Sequence, residues 1–152
     1  MTFLGSGCRG TDRAAKLGMK GMKSGHLRIL AVEDDQDLGE LYQSFLSWEG
    51  HDVLLAHNGR EALRLLRERP DVIILDLRLP DTDGAVLLHR MRGQQGREHI
   101  PVIVVSATVP QQERIREADA VLSKPFDISE LLGTIYRVSQ HTRPHHTTSR
   151  LH

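Results

Sequence analysis

The chain has 152 residues, a length suited to one domain with a single buried core. Its 20 basic and 20 acidic residues cancel, so charge gives no reason to expect nucleic acid or an anionic membrane as the main partner. Cys8 is the single cysteine, which excludes an internal disulfide and agrees with a reducing cytoplasm, and no apolar run approaches the ~20 residues of a membrane helix.

Residues 1–26 are rich in Gly, Ser, Lys and Arg and show no apolar period, so they read as a flexible, mildly basic extension. Leu4 to Cys8 superficially resembles a lipoprotein cleavage site, but it has neither a charged start nor an apolar stretch, and lipidation is not expected. From Leu27 the pattern alternates. Leu27–Val32 is a short strand. Leu38, Leu41, Tyr42, Phe45 and Leu46 then recur at helical spacing, predicting one buried face, and Gly50 ends that helix in a left-handed conformation. Asp52–Leu55 is a second strand. Asn58 with Glu61 reads as a capping box for a helix through Leu63 and Leu66, which Pro70 stops.

Val72–Leu75 is the third strand, followed by a helix from about Gly84 to Arg92. Pro101 leads into the fourth strand, Val102–Val105. Pro110 sits where a first helical turn would begin, predicting a short helix over Gln111–Glu117. Ala120–Ser123 is the fifth strand. Asp127 and Glu130 open a last helix with Ile128, Leu131, Leu132 and Ile135 inward. Residues 141–152 carry four histidines around Pro144, fit no structural zinc spacing, and read as a frayed His-rich tail. The expected division is therefore an extension over 1–26, a domain over 27–140 and a tail over 141–152. Alternating strands and helices predict an α/β fold, a doubly wound five-stranded parallel sheet with helices on both faces.

In such a sheet all strand carboxyl ends open on one edge, where ligands bind. Glu33 and Asp34 end the first strand, Asp76 the third, Ser106 the fourth, and Lys124 follows the fifth. Paired carboxylates repel one another, and a hard divalent ion such as Mg²⁺ offsets that repulsion while accepting their oxygens. Asp76 then suits nucleophilic attack on phosphorus, with Lys124 and Ser106 stabilising phosphoryl oxygens. Asp35 reads as the cap of the next helix, and Trp48 as packing or partial exposure.

Four motifs occur in order: Ile29-Leu30-Ala31-Val32-Glu33-Asp34-Asp35, Ile74 through Gly84, Pro101 through Ala107, and Leu122-Ser123-Lys124-Pro125-Phe126. Together they resemble the receiver domain of bacterial two-component response regulators over roughly residues 27–140. The resemblance implies a flavodoxin-like strand order of 2-1-3-4-5. It implies Asp76 as phosphoacceptor and Mg²⁺ (or Mn²⁺) held by Asp34, Asp76, the Arg78 backbone carbonyl and, through water, Glu33. Ser106 and Lys124 would contact the phosphoryl group, and the Lys124–Pro125 bond would be cis. The implied partners are a sensor histidine kinase or phosphotransfer protein and an unknown downstream protein. The single cysteine and the lack of a membrane span lead us to expect a cytoplasmic location, and the zero net charge no direct nucleic-acid or membrane contact; a monomer or phosphorylation-linked dimer is expected.

Two positions depart from that family's pattern. Val121 stands where an aromatic residue is usual, and the stretch from Ser106 to Lys124 is short. Arg78 and Thr108 flank the site's mouth and are candidates for controlling the lifetime of the phosphoryl group. An aspartate-nucleophile phosphatase is the competing enzyme class. It wants a second acid two residues past the nucleophile, where this chain has Arg78. A degenerate receiver that binds partners without phosphorylation is the other alternative.

Overall fold

The computed structural model describes residues 25–94 and 99–151, with residues 141–151 as backbone only. Its elements run β1 (Arg28–Val32), α1 (Gln36–Trp48), β2 (Asp52–Ala56), α2 (Gly59–Leu65), β3 (Val72–Asp76), α3 (Gly84–Arg92), β4 (Val102–Ser106), β5 (Ala120–Ser123) and α4 (Ile128–Leu151). Short 3-10 turns at Leu66–Glu68 and Gln112–Ile115 follow α2 and β4. The five strands form one parallel sheet in the order β2-β1-β3-β4-β5. That is the order implied by the family resemblance.

Alternation along each strand divides the core in two. Leu30, Val32, Ile73, Leu75, Val102 and Val104 face α2 and α3, meeting Ala62, Leu66, Leu87, Leu88 and Met91. Ile29, Ala31, Val72, Ile74, Ile103 and Val105 face α1 and α4, meeting Tyr42, Leu46, Leu131 and Ile135. Both faces of the central strands are covered, which is why those strands read as unbroken apolar runs.

Helix starts follow their capping residues. Asp35 accepts from the Leu38 N–H at 3.0 Å, Asn58 from Glu61 at 2.8 Å and Asp83 from Ala85 at 2.7 Å. Gly50 takes φ +97° after α1, and the Gly50 and His51 N–H groups donate back to Ser47 and Leu46 carbonyls. At the domain's start, His26 bonds the Gly50 carbonyl and the Asp52 carboxylate. Residues 1–24 of the expected extension lie outside the described residues.

The short helix expected over Gln111–Glu117 is present as a 3-10 turn over Gln112–Ile115. Asp119 accepts the Val102 N–H, and Arg92 reaches both Asp119 and the Glu117 carbonyl, so this turn is braced to α3. Two expectations change. Leu41, expected inward, is 50% exposed, because the buried stripe of α1 passes through Gly39, Tyr42 and Leu46. The backbone of residues 141–151, expected as a frayed tail, continues α4 to Leu151, while the burial of that helix is described only as far as Gln140.

One close approach matters for the site. A side-chain carbon on Gly84 would lie 2.5 Å from the Leu77 Cα and 2.6 Å from the Asp76 carbonyl. Only glycine lets α3 begin against the loop that leaves β3, where the Gly84 N–H also donates to the Leu77 carbonyl at 2.9 Å. Gly84→Ala should lose about 1–3 kcal/mol of unfolding free energy as the backbone is forced apart. Urea denaturation measures it, and a variant as stable as the parent would show that the contact is not tight.

Candidate functional site

The carboxyl edge of the sheet carries the charged residues. Asp76 is the last residue of β3 and is buried, in register with Val105 on β4. Glu33 follows β1 and is 1% exposed. Lys124 follows β5, and its N–H donates to the Ser106 carbonyl at 2.8 Å, tying the ends of β4 and β5 together. Its ammonium donates to Asp76 Oδ2 at 2.9 Å and to Glu33 Oε1 at 3.2 Å. The remaining oxygens are also held. Asp76 Oδ1 accepts the Arg78 N–H at 3.0 Å, and Glu33 Oε2 accepts the Asp35 N–H at 3.1 Å.

Asp34 is exposed, unlike its two neighbours. One carboxylate oxygen from each of Glu33, Asp34 and Asp76 lies within 4.8 Å of the other two. These residues line one open cleft with Asp35, Arg78, Leu79, Pro80, Ala107 and Lys124. Three carboxylates around one polar cleft form a hard-oxygen donor set that suits Mg²⁺ or Mn²⁺.

Burial and the neighbouring Asp76 push Glu33 up to about 7, despite the Asp35 N–H and the Lys124 charge. Burial alone would lower Lys124, but the hydrogen bond and charge of Asp76, joined by Glu33, outweigh it and leave the ammonium above its ordinary value. One cation thus faces two buried acids.

Ser106 sits one step to the side. Its hydroxyl donates to the Thr108 carbonyl at 2.8 Å and accepts the Thr108 N–H at 3.2 Å. Ser106 and Thr108 line an adjacent hollow with Arg78, Asp83 and Arg114. Arg78 therefore borders both spaces. The Lys124–Pro125 peptide is cis.

Three features were not read from the sequence. Asp81 accepts the N–H groups of Gly59 and Arg60, at 2.7 and 3.0 Å, clamping the loop after β3 onto the start of α2. Arg114 donates to Asp83 Oδ2 at 2.8 Å, joining the 3-10 turn to the cap of α3. Tyr42, taken only as a residue of the buried face, holds a buried hydroxyl with no hydrogen-bond partner among the described residues. None has a sequence signal, because the first two depend on pairings between distant segments and the third on what packs around the Tyr42 ring.

Comparison with known proteins decides the family. Residues 29–136 match the model of the response regulator receiver domain. The chain belongs to that family. It is 37% identical over 123 residues to the response regulator MprA of Mycobacterium leprae, covering 78% of this chain and 53% of that protein. MprA of Mycobacterium tuberculosis H37Rv is 36% identical over the same span. The receiver thus spans about half the length of the curated relatives it matches.

Among solved structures, the Francisella response regulator 1452 receiver domain shares 30% identity at a TM-score of 0.70, covering 77% of this chain and 99% of that one. The receiver domain of the Pseudomonas aeruginosa sensor kinase PA1611 also gives 30% and 0.70, covering 76% and 99%, and carries a magnesium ion coordinated in its active-site cleft. A CheY-like receiver from Methanospirillum hungatei gives 25% and 0.72, covering 80% and 99%. A receiver of this kind is not a classical enzyme. No helix among the described residues is long and apolar enough to cross a membrane.

The raised Glu33 carries a pH consequence. Its folded value, about 7, lies above its ordinary 4.5, so the folded receiver binds the extra proton. This group therefore stabilises the fold at low pH, and its contribution declines as pH rises from about 4.5 through about 7. Glu33→Gln should flatten that decline, read as urea unfolding free energy without metal from about pH 5 to about pH 8. Parallel parent and variant curves would contradict the assignment.

Proposed function

We propose that this receiver accepts a phosphoryl group on Asp76 from the phosphohistidine of a sensor histidine kinase or phosphotransfer protein, and signals through protein contacts. The observation that carries the reading is Asp76 itself, a buried strand-end carboxylate with two acids beside it and Lys124 bonded to it. A carboxylate oxygen of Asp76 attacks phosphorus, the P–N bond to the donor imidazole breaks, and an acyl phosphate forms. Positioning and charge neutralisation supply most of what such a transfer needs.

The donor set fits Mg²⁺, with Mn²⁺ as a substitute, held by Asp34, Asp76 and the Arg78 carbonyl, and by Glu33 through water. A bound divalent ion would neutralise phosphoryl oxygens and relieve the repulsion among the acids. Lys124 moves from the carboxylates to a phosphoryl oxygen, and Ser106 turns from the Thr108 carbonyl toward another. Support for the ion comes from the PA1611 receiver's magnesium and from the manganese-bound form of the response regulator Rcp1.

We assign the receiver to the cytoplasm, without direct nucleic-acid or membrane contact, as a monomer or a phosphorylation-linked dimer. Phosphorylation biases a two-state equilibrium that a downstream protein reads. Partner-binding without phosphorylation is a second reading, favoured by two observations. Val121 is exposed where the family's aromatic residue would sit, and the 3-10 turn replaces a full helix.

Incubation with Mg²⁺ and acetyl phosphate, followed by intact mass, tests this. The receiver should gain ~80 Da, and Asp76→Asn should not. No gain in the parent would favour the second reading. Arg78→Asn and Thr108→Ala should each change the half-life of the phosphorylated form by about threefold or more, through altered access of water to the acyl phosphate. Unchanged half-lives would remove both residues from that role.

A further inference from the structure

Tyr42 lies in the middle of α1, and helical side chains lean toward the helix N-terminus. For α1 that direction is the edge of the sheet that bears Glu33 and Asp76. The Tyr42 ring stacks on Phe126, with centroids 6.5 Å apart and planes within 5° of each other. Phe126 is two residues beyond Lys124, so the stack also abuts the loop that delivers the ammonium.

Tyr42 is 0% exposed, yet its hydroxyl makes no hydrogen bond among the described residues. A phenylalanine would fill the same apolar space without a polar atom to satisfy. Buried hydroxyls normally have a partner. Burial first, then the negative charges of Glu33 and Asp76, push the Tyr42 phenol up. Both acids are therefore within electrostatic reach, though beyond direct hydrogen-bond distance.

We propose that Tyr42 is a positioning residue of the acidic site, its hydroxyl donating through one bridging water to the Glu33–Asp76 carboxylate pair. The claim rests on the reading of these acids as a divalent-cation and phosphoryl site. A donor behind the pair favours the ionised carboxylates and fixes which oxygens face the cleft. The ring lies against Phe126, two residues beyond Lys124, and the hydroxyl alone is the group that acts on the acids.

The test is Mg²⁺ titration by calorimetry on the parent, Tyr42→Phe and Phe126→Leu, with metal-free thermal melts of each. Tyr42→Phe keeps the ring and removes only the hydroxyl. It should weaken Mg²⁺ by about threefold or more, approaching the tenfold typical of lost outer contacts, without raising the melting temperature. Phe126→Leu keeps the hydroxyl and disturbs the packing, and should stay within about twofold of the parent. Equal Mg²⁺ affinity in Tyr42→Phe and the parent, with or without a higher melting temperature, overturns the proposal and leaves the cation site standing. An equal loss in both variants also overturns it, because packing then accounts for the effect. A parent that binds no Mg²⁺ overturns the cation site itself, and this inference with it.

Discussion

Two carboxylates, Asp76 and Glu33, share one ammonium at the carboxyl rim of the sheet. Lys124 touches both Asp76 and Glu33, and every carboxylate oxygen on those two residues has a donor. Moving such charges out of water costs several kcal/mol per ion, and partners and hydrogen bonds offset it only when the geometry is good. The surrounding loops supply that geometry. The chain turns after β1 and β3 so that backbone N–H groups face the acids, and Gly84 lets α3 close on the loop after Asp76. The net negative charge that remains is what a divalent cation and a phosphoryl group act upon.

The sheet and its charged edge were legible because both are written in local pattern. Val72–Leu75 and Val102–Val105 are unbroken β-branched and aliphatic runs, as strands covered on both faces must be. Each run ends in a polar residue, and parallel topology then brings those ends to one edge. The capping residues Asp35 and Asn58 sit at the helix starts because their side chains bond the first free N–H groups, a preference visible within a few residues of sequence.

What was not legible is long-range. Leu41 matches the helical period as well as Tyr42 does, but the direction of α1 over β1 and β2 decides which of them is covered. The β4–β5 connection read as a short helix from Pro110. In the fold, the Arg92–Asp119 pair and the Arg114–Asp83 pair pin both ends of that connection to α3, and one turn remains. Sequence placed Ser106 at the site's edge but not the direction of its hydroxyl, which satisfies Thr108 instead of the acids. These outcomes come from pairings across tens of residues, which no local window contains.

The most direct measurement is a crystal structure of the receiver with Mg²⁺ and beryllium trifluoride, an inert mimic of the phosphoryl group. The account predicts beryllium bonded to a carboxylate oxygen of Asp76 and the cation about 2.0–2.1 Å from oxygens of Asp34 and Asp76. It also predicts Lys124 Nζ moved from the carboxylates onto a fluorine. A cation bound elsewhere, or Lys124 still bridging Asp76 and Glu33 with no ligand on Asp76, would contradict it.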